Sequence, residues 1–348
     1  MNTLIINTAN DELYIALKIE NKVFSKSISS TLKHNELMLT KIDEILKEAN
    51  VKIQDIDELG VVVGPGSFTG VRVGIATIKA FRDALNIKAC GINNLKLLYS
   101  LATSQNEDCS VVAIAGSRDS YFVGRRLFDK LYIYERNLTL NELISIAKDS
   151  PIGMFKLDEN LNSFKVQIEP NILFDCFNES DDELLLPVYY QLSQAESEKF
   201  KRAYIEICEV KEEELGEISQ IEKDSLNVNV IDLNEFKRMF INENYKIYSI
   251  KLNDEIAGFI LLELTDEINI VSIAIKKEFR NLGLATRFVE YTKNFAKERK
   301  TYALSLEVSK NNPTAYLLYE KLGFKLRRER KNYYADGSDC LEMALKNF

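Results

Sequence analysis

The 348 residues contain no Trp, a single His, only five Cys and no run of 18 uncharged apolar residues. Each shortage removes a class of protein. The cysteines, at 90, 109, 176, 208 and 340, form no C-x-x-C pair and are odd in number, which argues against a disulfide frame and a thiolate zinc site. A histidine metal cluster or a Ser/His/Asp triad would rest on His34 alone, so no metal site is expected, and His34, opening a helix as His34-Asn35-Glu36, is expected to be structural or interfacial. Without a long apolar run no membrane span is expected. The start MNTLIINTANDELYIALKIE has neither a basic stretch nor a small-residue cleavage site, which predicts a cytoplasmic chain. Positive charge is short as well: 45 Lys and Arg against 53 Asp and Glu leave −8. This divides as 23 basic and 28 acidic residues over 1–202 (−5), and 22 and 25 beyond (−3). Phosphate contacts need a basic surface, so neither half is expected to hold nucleic acid stably alone.

What is present is length and apolar content. A hydrophobic fraction of 46% with 28% charged residues is that of a globular protein, and 348 residues exceed one ordinary domain. The most legible chemistry is VSIAIKKEFRNLGLATRFVEYTKNFAKER, Val271 to Arg299. Its apolar start predicts a buried strand, and Leu284, Phe288, Tyr291 and Phe295 mark a helix. The joint between them is Arg280-Asn281-Leu282-Gly283-Leu284-Ala285. There Gly283 lets backbone approach a ligand and the helix start offers unpaired N–H groups to a pyrophosphate.

A second strand, Tyr302 to Val308, runs into SKNNPTAYLLYEKLGF, and Arg330-Lys331-Asn332-Tyr333-Tyr334 follows. Over about the last 145 residues the chain resembles the GNAT acetyltransferases, closely the RimI type that acetylates the N-terminal alanine of a ribosomal protein. The resemblance implies acetyl-CoA as the donor. Its arm would lie on the backbone of Ser272, Ile273, Ala274 and Ile275, and its phosphates on Arg280, Asn281, Leu282, Gly283, Leu284, Ala285 and Thr286, with Asn312 also at the coenzyme. Glu307 takes the place of the family's base, acting through water, and Tyr319 that of its acid, also touching the coenzyme; Tyr333 and Tyr334 resemble a peptide groove. From the residues alone, Asn312 before Pro313 is a helix cap, Glu307 a strand-end carboxylate and Tyr319 a core aromatic. The basic run Lys321 to Lys331 reads as a solvated strand face or a contact for phosphates or a ribosomal surface. Ser309 replaces an Arg usual after the family's Leu-Glu-Val, and the aromatic-Pro-Trp segment of relatives is missing around Asn227 to Leu233.

In the first half, Thr3 to Thr8, Leu13 to Ile19 and Val23 to Ile28 predict a meander. A helix follows over Asn35 to Ala49, a strand over Leu59 to Val63, and a helix marked by Val71, Ile75, Ile78, Phe81 and Leu85, with later strands at Lys88 to Ile92, Val111 to Ala115 and Tyr121 to Phe128. The loop Gly64-Pro65-Gly66-Ser67-Phe68-Thr69-Gly70 lacks the Gly-Lys-Ser/Thr of a Walker site. Gly66 and Gly70 are read as permitting positive φ, and Gly74 and Ala76 as flattening the helix for another helix or chain. GPGSFTG with Arg72 resembles the TsaB family over residues 1–198, and Leu186-Pro187-Val188-Tyr189-Tyr190 looks like its tail. The resemblance implies a ribonuclease-H-like, actin-like (ASKHA) fold and a non-catalytic role in making threonylcarbamoyladenosine on transfer RNA. A TsaD-like catalytic subunit and a TsaE-like ATPase would be its partners, with Gly64, Gly66, Phe68, Gly70 and Arg72 at the interface. Asn7 stands where active relatives of the fold carry an acid, and an amide cannot serve a hard cation as a carboxylate does.

The fold expected is therefore α/β throughout: an actin-like domain over 1–198 and a GNAT acyltransferase domain over 203–348, joined by the short polar stretch QAESEKFK. The function expected is a non-catalytic tRNA-modification scaffold fused to an N-terminal alanine acetyltransferase. Acetylation of lysine or of a small amine, and a second half that only binds, remain as alternatives.

Overall fold

The computed structural model describes residues 1–348 apart from 29–33, 118, 135, 189–203, 227–228, 302 and 347–348, and the side chains of 34–36. The side chain of His34, the tail tyrosines and the connection QAESEKFK therefore lie outside the described residues. The chain divides into two compact units, Met1–Gln191 and Leu192–Phe348.

The first unit begins with β1 (Asn2–Asn7), β2 (Leu13–Ile19) and β3 (Lys22–Ile28), an antiparallel meander with full register from Asn2↔Ile19 to Asn7↔Tyr14. Helix α1 (His34–Glu48) leads to β4 (Glu58–Gly64), α2 (Phe68–Leu85) and β5 (Lys88–Asn93); β4 runs parallel to β1 and β5 parallel to β4. The sheet order is β3-β2-β1-β4-β5. β1 and β4 are apolar almost continuously because both faces of this sheet are covered, which is the pattern of parallel strands flanked by helices. Ser67 caps α2 by accepting from the Gly70 amide at 3.2 Å, and Asn86 ends the helix in the left-handed conformation.

A second sheet follows α3 (Asn94–Gln105). It is built from β6 (Val111–Ala115), β7 (Ser120–Leu127), β8 (Lys130–Ile133), β9 (Leu138–Thr139), then α4 (Leu140–Ala147), β10 (Ile152–Met154), β11 (Ser163–Lys165) and α5 (Pro170–Asn178). Its order is β11-β10-β6-β7-β8, with β9 on β7.

The second unit runs β12 (Ile205–Glu209), α6 (Leu215–Ser225), α7 (Leu233–Phe240), β13 (Tyr245–Leu252), β14 (Glu255–Leu264), β15 (Ile268–Ile275), α8 (Leu284–Glu298), β16 (Ala303–Ser309), α9 (Pro313–Lys321), β17 (Lys325–Arg330) and β18 (Cys340–Lys346). The strand and helix over Val271 to Arg299 and the strand before Ser309 are those the sequence predicts. The seven strands lie in the order β12-β13-β14-β15-β16-β18-β17, antiparallel throughout except for β15 and β16. Alternation along β13 divides the two faces. Ile247 joins Leu215, Ile218, Ile221 and Phe236 under α6 and α7, whereas the next residue, Tyr248, meets Tyr291 and Phe295 of α8 with ring centroids 4.9 and 5.9 Å apart. Helices α6 and α7 thus cover one face and α8 the other; the Lys293 ammonium, 3.5 Å from the Leu322 carbonyl, ties the end of α9 to α8.

Candidate active site

The parallel strands β15 and β16 pair only at Ile268↔Leu304, Asn269↔Ser305 and Ile270↔Leu306. β15 continues to Ile275 on its β14 side and β16 to Ser309 on its β18 side, so the two strands part beyond Ile270 and Leu306. The opening bares the backbone of Ser272 to Ile275 along one edge, an edge on which an extended chain can pair. The cause is visible in the register: between Leu261↔Ser272 and Leu262↔Ile270, Val271 is inserted as a bulge, and bulges bend and twist a strand away from its neighbour.

Register also assigns the faces. Ser272 shares the Leu261 side, under α6 and α7. Asn269 is paired with Glu263, two residues from Leu261, and with Ser305, two residues from Glu307. Glu307 therefore projects on the same face as Ser272, the α6–α7 face. Its carboxylate is tied to the Arg330 guanidinium, which stacks on the Tyr333 ring at 4.1 Å; Tyr333 meets Tyr334 edge to face at 5.1 Å. Glu307, Arg330, Tyr333 and Tyr334 thus form one cluster, and Arg330 is the member that the sequence reading left without a role. Its signal was the run Arg330 to Tyr334 itself. Glu342 is the cross-strand neighbour of Glu307. Such a pair of carboxylates is unfavourable unless cations lie between, and Arg327 and Arg328 approach Glu342 at 3.4 and 3.8 Å.

Tyr319 belongs to α9, on the opposite face, packed against Phe324 with centroids 5.7 Å apart. It is buried, and burial alone raises its phenol above the ordinary value of 10, so the hydroxyl keeps its proton at neutral pH. A partly exposed carboxylate and a buried, protonated phenol therefore lie on opposite faces of the sheet.

At the end of β15, Lys277–Phe279 make a 3-10 turn and Arg280 donates from Nε to the Ile275 carbonyl at 3.0 Å. Asn281 and Gly283 both take the left-handed conformation, φ 63° and 75°, and a Cβ at Gly283 would meet nothing within 4 Å. The site requirement there is backbone shape with open space above it, which suits close approach by a phosphate. Of the expected coenzyme residues, Arg280, Asn281 and Gly283 are exposed and Ile273, Ile275, Leu282, Ala285 and Thr286 half-buried, while Ala274 and Leu284 point into the core and can contribute only backbone. Asn312 caps α9, accepting from the Ala315 amide at 3.2 Å, so the cap reading of its side chain holds. Part of the basic run is already paired. Arg327 pairs bidentately with Glu267 at 2.7 and 2.8 Å, and Lys331 binds Glu329 and Asp339.

In the first unit the Gly loop is organised by the end of β1. A Cβ at Gly66 would fall 2.2 Å from the Ala9 carbonyl oxygen and one at Gly70 1.9 Å from that of Thr8. Gly70 is an ordinary helical residue of α2 rather than one at positive φ, and Gly74 faces the Thr8 hydroxyl rather than a flat outer surface. Two expectations are corrected: Gly70 admits the Thr8 backbone and Gly74 the Thr8 side chain, just beyond β1, while Ala76 stays exposed on α2. Gly64 and Gly70 are buried, so of the five expected interface residues the exposed side chains are Phe68 and Arg72, with the Arg72 guanidinium 3.7 Å from the Phe68 ring centroid. Asn7 is fully buried and its Oδ1 accepts from the Ala9 amide at 3.0 Å. A cavity of about 1250 Å³ lies between the two sheets, bridged by Lys156 to Asp11 at 2.9 Å and Lys165 to Glu12 at 3.9 Å. Among the described residues no cluster of His, Cys, Asp or Glu is placed to hold a metal, and no helix is long and apolar enough to cross a membrane.

Comparison with known proteins agrees with this division. Residues 23–165 match the family model of TsaD, tRNA N6-adenosine threonylcarbamoyltransferase, and residues 200–324 that of the acetyltransferase (GNAT) family. The tRNA threonylcarbamoyladenosine biosynthesis protein TsaB of Bacillus subtilis is 29% identical over 49% of this chain and 76% of its own. The [ribosomal protein bS18]-alanine N-acetyltransferase of Salmonella typhimurium is 34% identical over 31% of this chain and 78% of its own. The solved structure of YeaZ from Pseudomonas aeruginosa, at 19% identity, covers 54% of this chain and 99% of its own with a TM-score of 0.43. Fold and parted strands define the second unit as an N-acetyltransferase of the GNAT class, which uses acetyl-CoA. The chain belongs to the family of ribosomal-protein alanine N-acetyltransferases, here fused behind a TsaB-like, actin-like domain.

Proposed function

We propose that the second unit transfers the acetyl group of acetyl-CoA to a free N-terminal alanine of a small-subunit ribosomal protein. We further propose that the first unit is a non-catalytic scaffold for a TsaD-like subunit and a TsaE-like ATPase in the threonylcarbamoyladenosine modification of transfer RNA. The observation that supports the first reading is the parting of β15 from β16, with Glu307 on one face of β16 there and Tyr319 on α9, the helix that follows β16. The bared edge Ser272 to Ile275 and the turn Arg280 to Thr286 suit the pantetheine arm and the phosphates. The donor supplies an activated thioester. Because the turn leads into α8, donor phosphates belong to the α8–α9 face and the acceptor enters from the α6–α7 face, where Glu307 lies. Glu307 takes the proton of the incoming ammonium through water, and Tyr319, protonated at neutral pH, gives its proton to the leaving group. Arg330 holds Glu307 in place, and Tyr333 and Tyr334 border the acceptor beside it.

For the first unit, the reading is supported by the exposed Phe68–Arg72 pair on a loop built around Thr8 and Ala9, and by the neutral Asn7, whose Oδ1 accepts from the Ala9 amide. The test is mass spectrometry of a free-N-terminal alanine peptide after incubation with acetyl-CoA, beside the same peptide blocked and carrying lysine. Acetylation of the first peptide alone supports the reading; acetylation of the lysine peptide replaces it with a lysine acetyltransferase.

A further inference from the structure

Glu222 is 1% exposed, near the end of α6, and no step described above uses it. One carboxylate oxygen accepts from the Ser272 hydroxyl at 2.7 Å and the other from the Ile231 amide at 3.4 Å. Among the described residues no cation pairs with it, and burial raises its pKa above the ordinary carboxylate value. A buried carboxyl with only neutral donors is unfavourable for stability, and a leucine or methionine would fill a helix–sheet interface without that cost. Its position suggests what it is kept for. Ser272 is the first residue after the bulge, on the segment of β15 that β16 no longer covers, and on the same face as Glu307. Ile231 lies at the far end of the connection from α6 to α7, where Val230 and Leu233 are partly exposed.

We propose that Glu222 is the positioning residue of the acceptor side: it fixes the direction of the Ser272 hydroxyl and holds Ile231, just before α7, toward the parted strand, so that the site takes a primary amine. Because the carboxylate can only accept, Ser272 must donate to it. Ser272 is itself only 6% exposed, so where the parted strand shows its oxygen to an entering acceptor it offers lone pairs alone, which suits the N–H groups of an amine and rejects a hydrogen-bond acceptor in its place. This inference rests on the acceptor entering by the α6–α7 face.

Glu222→Gln separates this role from a structural one. The glutamine oxygen must serve the Ile231 amide, its NH₂ then points at Ser272 Oγ, and the serine hydrogen is turned outward against the amine. The full chain is assayed with the free-N-terminal alanine peptide and acetyl-CoA, and its thermal midpoint is measured in parallel. Turnover by the unaltered chain tests the acceptor reading by itself; the ratio of variant to unaltered chain tests Glu222. The expected result is a peptide KM raised roughly ten- to hundredfold, as for a lost charge-assisted contact, with the acetyl-CoA KM unchanged and the thermal midpoint not lowered. Ser272→Ala, which deletes the hydroxyl without adding bulk, should raise the peptide KM in the same direction. An unchanged peptide KM in both variants would overturn the proposal. So would a lowered thermal midpoint with the two KM values rising together, because that is the signature of a merely structural carboxyl.

Discussion

Glu307 and Tyr319 differ in what makes each fit its proposed role. Glu307 is partly exposed and owes its orientation to Arg330, itself sandwiched between that carboxylate and the Tyr333 ring. Tyr319 is set by burial, which withholds the charged form and so keeps a proton available. On the proposed mechanism, removing either group should leave the coenzyme bound and lower kcat by about 10²- to 10⁴-fold. The measurement is single-turnover acetyl transfer by Glu307→Gln and Tyr319→Phe beside coenzyme titration; turnover equal to the unaltered chain removes that residue from the mechanism. Both candidates come from the sequence because the motifs around them are local. Arg330's pairing could not be read there, since its partner lies 23 positions away and only the β16-β18-β17 order brings them together. Glu222 was equally hidden: in sequence it is one more acid on an amphipathic helix, and only the fold shows that its carboxyl turns inward.

At the scale of elements, loops that look alike in sequence are held by different forces. The Gly loop of the first unit is a steric fit: Gly70 meets the Thr8 carbonyl oxygen, and the Thr8 hydroxyl returns a 2.7 Å hydrogen bond to the Gly70 carbonyl. Gly70→Ala should destabilise the first unit by about 1–3 kcal/mol, the range for forced overpacking, while acetyl transfer continues; unfolding followed by calorimetry would show one transition lowered. The β17–β18 connection is electrostatic instead. Asp339 accepts from Lys331 at 2.9 Å and from the Asn332 amide at 3.0 Å, which holds its carboxyl down at about 2. A carboxyl depressed in the folded state stabilises above its unfolded value of 3.8 and loses that contribution as pH falls toward 2. Asp339→Asn should therefore flatten the pH dependence of unfolding between about 4 and 2, and an unaltered acid limb would assign that dependence elsewhere. Elements with clear periodicity or a flanking motif were legible. Helix α3 was not, because Leu95, Leu97, Leu98, Leu101 and Ala102 are all buried and so leave little polar stripe to reveal a period. Strands β8 to β11, of two to four residues, are too short for alternation to register. The basic run of β17 was legible as charge but not as pairing, since Glu267 and Glu342 reach it only through the sheet.

At the scale of the whole molecule, each unit has a core of its own. Leu4 through Leu185 and the smaller group around Tyr121 belong to the first, and Val210 through Ala274 to the second; none of these clusters mixes residues from the two. The chemistry is divided in the same way. Glu222, Ser272, Glu307, Tyr319 and the turn at Gly283 all lie beyond Leu192, and the Gly loop with Phe68 and Arg72 lies before Gln191. The residues proposed for acetyl transfer all belong to the second unit, and a core of its own is the condition for independent folding. The fragment 192–348 should therefore fold and acetylate the alanine peptide with the kcat/KM of the full chain, and the fragment 1–191 should unfold cooperatively by itself. A folded 192–348 fragment with intact coenzyme binding but a lowered kcat/KM for the peptide would make the first unit part of the acceptor site. The fusion would then be a catalytic arrangement rather than two activities carried on one chain.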